Sequence, residues 1–319
     1  MKVLVTGASG FVGQSLIETL KKHNISMVGV GRELTTSNAD VSFSVSDYCA
    51  KDVWQKPLSD CDVVVHLAAR VHVLHDLAVN PLEEFLTVNL HGTVNLAKQA
   101  AKAGIKRFVY VSSVKVNGEY TENNKFTEYD TPNPQDSYAF SKWQAEQALG
   151  VIEKESGMEV VILRPPLIYG AGVKANFASL LKLVDKGLPL PFGSIKNQRS
   201  LIYLGNLVDA VITCITHPLA AGQTYLVSDA EDVSTPQLIK KIATAFNKSY
   251  VIFPFSVSIM YCLSKLIGKS SAIDRLTQSL VIDSSKIRKE LGWRPPFTMA
   301  QGLKHTIDWY RKSSNIRNV

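Results

Sequence analysis

The sequence predicts an α/β chain built on a doubly wound parallel sheet, followed by a smaller C-terminal α/β lobe. Three observations carry this expectation. Apolar strand-like runs alternate with amphipathic helical runs through the first half, a glycine-rich turn joins the first strand to the first helix, and the texture changes after Pro165-Pro166. Alternation of this kind yields a parallel sheet covered on both faces, because parallel strands need crossovers of about a dozen residues or more.

The expected strands are Val3–Thr6, Met27–Val30, Val63–Leu67, Phe108–Ser112 and Val160–Arg164, and the expected helices are Phe11–Lys22, Leu82–Ala103 and Tyr138–Glu155. Each helix carries apolar residues at helical spacing. Beyond Pro166, glycines and prolines at Gly170, Gly172, Gly187, Pro189, Pro191 and Gly193 crowd a stretch with shorter helical runs and fewer strands. The expected division is therefore residues 1–165 and 166–319, with the chain crossing between the lobes. The tail from Lys312 to Val319 is expected to fray.

With 319 residues, of which 45% are hydrophobic and 20% charged, the chain can bury a sizeable core and is not a disordered one. Its net charge of +7 is scattered, with no run of five like charges, so an anionic small molecule is expected rather than nucleic acid. Cys49, Cys61, Cys214 and Cys262 form no CxxC pair and no histidine cluster accompanies them, so buried, reduced thiols and no metal are expected. A strand begins at once, Met1-Lys2-Val3-Leu4-Val5, with no signal-peptide pattern, and the expectation is a cytoplasmic protein. The apolar stretch Val251 to Ile267 is interrupted by Pro254, Ser256, Ser258, Ser264 and Lys265, so it predicts a buried or surface-lying helix and no membrane span.

Gly7, Gly10 and Gly13 occupy Thr-Gly-Ala-Ser-Gly-Phe-Val-Gly, directly after the first strand and opening the first helix. Glycines there let the backbone approach a pyrophosphate, whose charge rests on the free N–H groups of the helix. The position predicts a Rossmann-type dinucleotide site made by Gly7, Ser9, Gly10, Phe11, Val12 and Gly13. At the end of the second strand, where NAD-specific chains place an acidic residue for the ribose, stand Gly31 and Arg32. A guanidinium suits a 2′-phosphate, so NADP(H) is favoured over NAD(H), which stays open through Glu33.

Tyr138 and Lys142 in Tyr-Ala-Phe-Ser-Lys are spaced i and i+4, which puts them on one helical face. An ammonium beside a phenol lowers its pKa and makes it a usable acid or base at neutral pH. Ser113 ends the Phe-Val-Tyr-Val-Ser-Ser run, at the carboxyl end of a strand where ligands of open α/β sheets bind, and its hydroxyl can hold a reacting oxygen.

Together the GxxGxxG turn, Ser113, Tyr138 and Lys142 resemble the extended short-chain dehydrogenase/reductase family, in its nucleotide-sugar epimerase, dehydratase and reductase branch. The resemblance runs from Met1 to about Trp309. It implies further cofactor contacts at Leu67, Ala68, Ala69 and Arg70 of His-Leu-Ala-Ala-Arg, at Asn89, and at Asp47 by the adenine. For a nucleotide diphosphate it implies Asn176, Arg199 ahead of Ile-Tyr-Leu-Gly-Asn, and Arg275 ahead of Ile-Asp-Ser-Ser-Lys. Two guanidinium groups suit a diphosphate because their hydrogen bonds to phosphate are bidentate and charge-assisted. Ser279 and Leu280, where hexose epimerases carry a bulky aromatic, leave room for an N-acetyl group.

The resemblance also speaks to the reaction. Dehydratases of this branch carry an acidic pair, or at least a glutamate, just after the active hydroxyl residue, whereas Val114 and Lys115 follow Ser113, which argues against 4,6-dehydration. The expected activity is NAD(P)-dependent hydride transfer at C4 of a nucleotide-linked sugar, read as reduction of a UDP-4-keto-6-deoxy-N-acetylhexosamine. The alternatives are a UDP-hexose or UDP-N-acetylhexosamine 4-epimerase with retained NAD, a 4-epimerase of a lipid-linked sugar diphosphate, and a non-catalytic NADPH-binding sensor. A helix-mediated homodimer is also implied.

Overall fold

The computed structural model describes residues 1–32, 39–71, 80–266 and 270–317. Its strands are β1 (Lys2–Thr6), β2 (Ser26–Gly31), β3 (Val41–Ser44), β4 (Val63–His66), β5 (Arg107–Val111), β6 (Glu159–Arg164), β7 (Leu167–Tyr169), β8 (Arg199–Tyr203), β9 (Thr224–Leu226) and β10 (Asp232–Val233). Its α-helices are α1 (Phe11–Lys22), α2 (Gln55–Leu58), α3 (Pro81–Leu86), α4 (Gly92–Lys102), α5 (Ser137–Ser156), α6 (Ala175–Asp185), α7 (Leu204–Thr216), α8 (Thr235–Phe246), α9 (Val257–Leu266), α10 (Ser270–Thr277), α11 (Ser285–Leu291) and α12 (Met299–Arg317).

Seven strands form one parallel sheet in the order β3-β2-β1-β4-β5-β6-β9, a doubly wound Rossmann arrangement. Successive residues point to opposite faces, so the two covering layers read off the strands directly. Val3, Val5, Val63, Val65, Val109 and Val111 face α1 and α7, whereas Leu4, Val28, Val64, Phe108 and Tyr110 face α4 and α5. Burial on both sides is why these strands are almost continuously apolar.

The five expected strands and the three expected helical regions are present. The sheet also contains β3 and β9, which the sequence analysis did not name. β3 reads Val-Ser-Phe-Ser and is only partly buried, and β9 is three residues long, so neither has an apolar run to announce it. The expected helix Leu82–Ala103 is α3 and α4 joined by a π-helical turn, Thr87–His91. π-turns of this kind often sit at functional sites.

After β6 the chain builds a three-stranded sheet, β10-β8-β7, with a separate core in which Phe177, Leu181, Ile239, Ile242 and Phe246 pack together. It then returns to the large sheet through α7, which packs on α1, and through β9. The apolar stretch from Val251 yields only α9, ten residues long, and Ile267 lies outside the described residues. Among the described residues no helix is long and apolar enough to cross a membrane. The tail expected to fray is helical to Arg317, since α12 packs on α8; 318–319 lie outside the described residues.

The four cysteines are free, but only Cys214 is buried, while Cys49 and Cys262 are exposed and Cys61 is half-buried. Wide spacing told that they do not pair and told nothing of their depth, which is set by tertiary packing. Among the described residues no histidine, cysteine and carboxylate group forms a metal-binding cluster.

Candidate active site

The sheet order reverses between β1 and β4, so β1 delivers its glycine turn into the crevice at the switch point. Gly7 has φ +66°, and a Cβ there would meet the backbone of Ala68 at 2.9 Å. At Gly13 a Cβ would stand 2.1 Å from the Gly7 carbonyl oxygen, so the turn closes only with glycine. Gly10 is the N-cap of α1, no side chain caps that end, and no acidic residue lies in its first turn. Free N–H groups, the helix dipole and no opposing charge fit the pyrophosphate of a dinucleotide. Ser9 is exposed at the turn, Val12 packs on the core below it, and Phe11 lies against Gly172 between the two lobes.

Arg32 follows β2 with its side chain exposed, and its carbonyl accepts from the Ser44 hydroxyl at 2.7 Å. Asp47 is exposed and accepts from the backbone N–H of Cys49 at 2.8 Å. Glu33, the alternative ribose ligand, lies outside the described residues.

Behind the crevice runs a buried hydrogen-bonded chain that the sequence analysis missed. Thr93 donates its hydroxyl to the Asn89 carbonyl (2.7 Å), so toward His66 Nε2 (2.9 Å) it accepts, which makes His66 the Nε2–H tautomer. His66 Nδ1 then accepts from Thr6 (2.6 Å), whose oxygen also receives the N–H groups of Leu67 and Ala68 at 3.2 Å. Burial first, and the nearby Lys142 second, hold His66 neutral by lowering its pKa to about 3. Asn89, buried in the π-turn, accepts from Arg70 N–H (2.8 Å) and donates to the Arg70 carbonyl (3.0 Å) and the Ser141 hydroxyl (2.9 Å). The segment Leu67, Ala68, Ala69 and Arg70 is thus pinned at both ends.

Asp136 caps α5, accepting from Ala139 N–H at 2.6 Å, and so sets the first turn from which Tyr138 projects. Ser113 lies just past β5, where its hydroxyl oxygen accepts from Lys115 N–H at 3.2 Å and its proton is free for the Tyr138 phenol. Phe85 packs edge-on to Tyr138 with ring centroids 6.2 Å apart. The Lys142 amine donates to the Val111 carbonyl at 2.8 Å and lies 4.4 Å from the Tyr110 ring centroid.

The electrostatics differ from the expectation that Lys142 lowers the phenol. Tyr138 is pushed up to about 12, first by burial and then by the Asp136 carboxylate, and the hydrogen bond from Ser113 only partly offsets them. Lys142 is itself lowered to about 7, because burial outweighs the favourable charge of Glu146. With its amine spent on Val111 and on the Tyr110 ring, Lys142 is not a counter-charge to Tyr138 in this arrangement. Glu146 in turn is held by a bidentate ion pair with Arg164, bonded through Nε and Nη2.

On the other side of the crevice Arg199, on β8, donates to the carbonyls of Arg275 (3.0 Å) and Gln278 (3.1 Å). Burial lowers its pKa first, with the Glu119 charge acting to raise it and the Arg275 charge to lower it. Arg275 is exposed on α10, and Asn176 is exposed on the first turn of α6. Leu280 packs with Val114, the neighbour of Ser113, and Ser279 accepts from Gln198 N–H at 3.0 Å.

A parallel sheet with a glycine turn at its switch point, and Ser113, Tyr138 and Lys142 gathered at the end of β5, two strands away from β1, define a dinucleotide-binding α/β chain. The NAD dependent epimerase/dehydratase family profile matches residues 3–228, and the chain belongs to that family. It is 45% identical to a UDP-glucose 4-epimerase of Vibrio cholerae over 98% of this chain and 96% of that one. It is 29% identical to an N-acetyl-alpha-D-glucosaminyl-diphospho-ditrans,octacis-undecaprenol 4-epimerase of Escherichia coli O157:H7, over 96% and 94% of the two chains. The fold is that of the UDP-N-acetylglucosamine 4-epimerase from Bacillus cereus, with TM-score 0.80 at 22% identity and coverage of 98% and 99%.

Proposed function

We propose that this chain interconverts the C4 epimers of a nucleotide-diphosphate sugar, with UDP-linked hexoses and N-acetylhexosamines as its substrate class. One observation carries the reading: Ser113 and Tyr138 meet just past β5, on whose last carbonyl the Lys142 amine rests, in a sheet that carries the glycine turn at its switch point. The 45% identity to a UDP-glucose 4-epimerase favours epimerisation over the net reduction expected from the sequence.

A bound nicotinamide dinucleotide supplies the acceptor and donor of the C4 hydrogen, and Gly7, Gly10 and Gly13 with the α1 N-terminus would hold its pyrophosphate. As phenolate, favoured by the positive charge that an oxidised nicotinamide would bring beside it, Tyr138 would take the proton of the C4 hydroxyl and later return it, while Ser113 holds the same oxygen. Lys142 orients the ribose side, Asn89 fixes the Arg70 segment, and Arg199 and Arg275 would receive the diphosphate. In this division residues 1–165 serve the dinucleotide and 166–319 the sugar nucleotide. Val114 is buried and Lys115 is cationic, so neither supports elimination of water. A homodimer through helices is part of the same proposal.

Arg32 favours a second reading, reduction of a UDP-4-keto-6-deoxy sugar by NADPH, because it is exposed at the end of β2 where a 2′-phosphate would lie. The NAD-dependent family description favours retained NAD(H) instead. The test offers the purified protein UDP-glucose, UDP-N-acetylglucosamine, their 4-epimers, a polyprenyl-diphosphate sugar and 4-keto-6-deoxy sugars, with NAD or NADPH. Interconversion of a UDP-sugar pair without net cofactor consumption is the expected result. One NADPH oxidised per keto sugar consumed, with no epimer formed, would replace the first reading by the second.

A further inference from the structure

A directed run of hydrogen bonds joins the strand that delivers the glycine turn to the first turn of α5. At its start the Thr6 oxygen accepts from the N–H groups of Leu67 and Ala68, both at 3.2 Å, and the Thr6 hydroxyl donates to His66 Nδ1 at 2.6 Å. His66 Nε2–H donates to Thr93 (2.9 Å), and Thr93 donates to the Asn89 carbonyl (2.7 Å). The Asn89 side-chain amide donates to Ser141 (2.9 Å), whose hydroxyl donates to the Tyr138 carbonyl (2.8 Å). Every donor in the run points the same way, and its five side chains, drawn from β1, β4, the π-turn, α4 and α5, are all buried.

We propose that Thr93 is the positioning residue that sets this direction: through His66 it holds Leu67 and Ala68 against the glycine turn, and through Asn89 and Ser141 it is tied to the turn of α5 that carries Tyr138. A carbonyl can only accept, so the Thr93 proton is committed to Asn89 and its oxygen accepts from His66. That commitment makes His66 Nδ1 an acceptor and turns the Thr6 proton toward the ring, which leaves the Thr6 lone pairs to the two amides. Those amides matter because the Ala68 backbone touches the glycine turn, where a Cβ on Gly7 would stand 2.9 Å from Ala68 N. The His66 ring is held between Tyr110, stacked on it, and Phe108, each with centroids 5.8 Å away. It can exchange one tautomer for the other but has little room to turn away. The proposal rests on the proposed function only in that a dinucleotide lies at the glycine turn.

Removal of the Thr93 hydroxyl strips the buried Nε2–H of its acceptor, which costs more than the bond itself was worth. The ring recovers by carrying its proton on Nδ1, where the Thr6 oxygen can accept it. Thr6 then spends a lone pair on the ring, and one of the two amides after β4 goes without a partner. Valine has the shape of threonine without its hydroxyl, whereas serine keeps the hydroxyl and loses the methyl. Thr93→Val and Thr93→Ser therefore separate hydrogen bonding from packing.

The test labels histidine with 15N, reads the His66 ring nitrogens by NMR in the protein without dinucleotide, and then titrates NAD and NADPH by calorimetry. The His66 signals are assigned by their loss in His66→Gln. Wild type and Thr93→Ser should both show the Nε2–H tautomer and bind the dinucleotide within about twofold of each other, while Thr93→Val should move to Nδ1–H and bind about tenfold more weakly. Ser141→Ala cuts the run at its other end and should itself weaken binding. In the double variant Thr93→Val with Ser141→Ala the loss should be smaller than the product of the two single losses, because members of one network are not additive. An Nδ1–H ring in the wild type, wild-type affinity in Thr93→Val, equal losses in Thr93→Val and Thr93→Ser, or single losses that multiply would overturn the proposal. The tautomers of wild type and Thr93→Ser test the direction of the run even if Thr93→Val does not fold. They are read without dinucleotide, so a wild type that binds neither NAD nor NADPH would count against the dinucleotide site, and the tautomers would still decide the direction.

Discussion

Burial strips water from the Lys142 amine and leaves it one backbone carbonyl and one aromatic ring, and its pKa falls to about 7 from an ordinary value near 10.5. Between those two values the unfolded chain binds a proton that the folded chain releases, so this residue makes stability rise with pH. Its destabilising share is full below pH 7 and vanishes above the unfolded value. Lys142→Met is therefore expected to raise the melting temperature by several degrees at pH 7, with the gain shrinking toward pH 10, while turnover falls by about 100-fold or more. A lowered melting temperature at pH 7 would show that the amine stabilises the fold. Arg199 makes the opposite case, since its two carbonyl partners leave further guanidinium donors for an anion. Arg199→Met should raise the KM for a UDP-sugar by about 10- to 100-fold, as expected for loss of a charge-assisted hydrogen bond, and leave dinucleotide affinity within about twofold. Steady-state kinetics and a cofactor titration read the two effects separately.

At the scale of elements, the glycine turn and the π-turn both bear on the segment after β4: Gly7 lies against Ala68, and Asn89 holds Arg70. Gly13→Ala would force a methyl group onto the Gly7 carbonyl, so the strand–turn–helix unit must open. Dinucleotide affinity should fall by about tenfold or more, measured by calorimetry, since the pyrophosphate site is the turn itself. Unchanged affinity would place the pyrophosphate elsewhere. How much of the site was legible in the sequence follows from the range of its contacts. The glycines and the Tyr138–Lys142 spacing lie within single elements, where chain geometry alone brings them together. Asp136 was not singled out in the sequence, and Lys115 stands 21 residues before it, so their ion pair is a product of tertiary folding. The same is true of the pairing of Glu146 with Arg164 and of the His66 chain, whose members come from β1, β4 and α4. The expected effect of Lys142 on Tyr138 failed for a related reason: helical spacing places two side chains on one face, but burial decides where the charge goes.

For the whole molecule, the same logic separates the lobes. The five strands named from the sequence, β1, β2, β4, β5 and β6, were legible because nearly all of their residues are buried, whereas β9 and β10 are three and two residues long, too short to show a pattern. The protein's charge of +7 is suited to a dianionic nucleotide diphosphate, the ligand proposed for Arg199 and Arg275. The account's central claim is that Tyr138, held against Ser113 at the end of β5, moves the proton at C4. Its most direct test follows the anomeric proton signals of a UDP-sugar by NMR with wild-type and Tyr138→Phe protein, each first shown to bind the dinucleotide. The account predicts appearance of the C4 epimer with the wild type and a rate about 100-fold lower or less with the variant. Equal rates for the two proteins would contradict it.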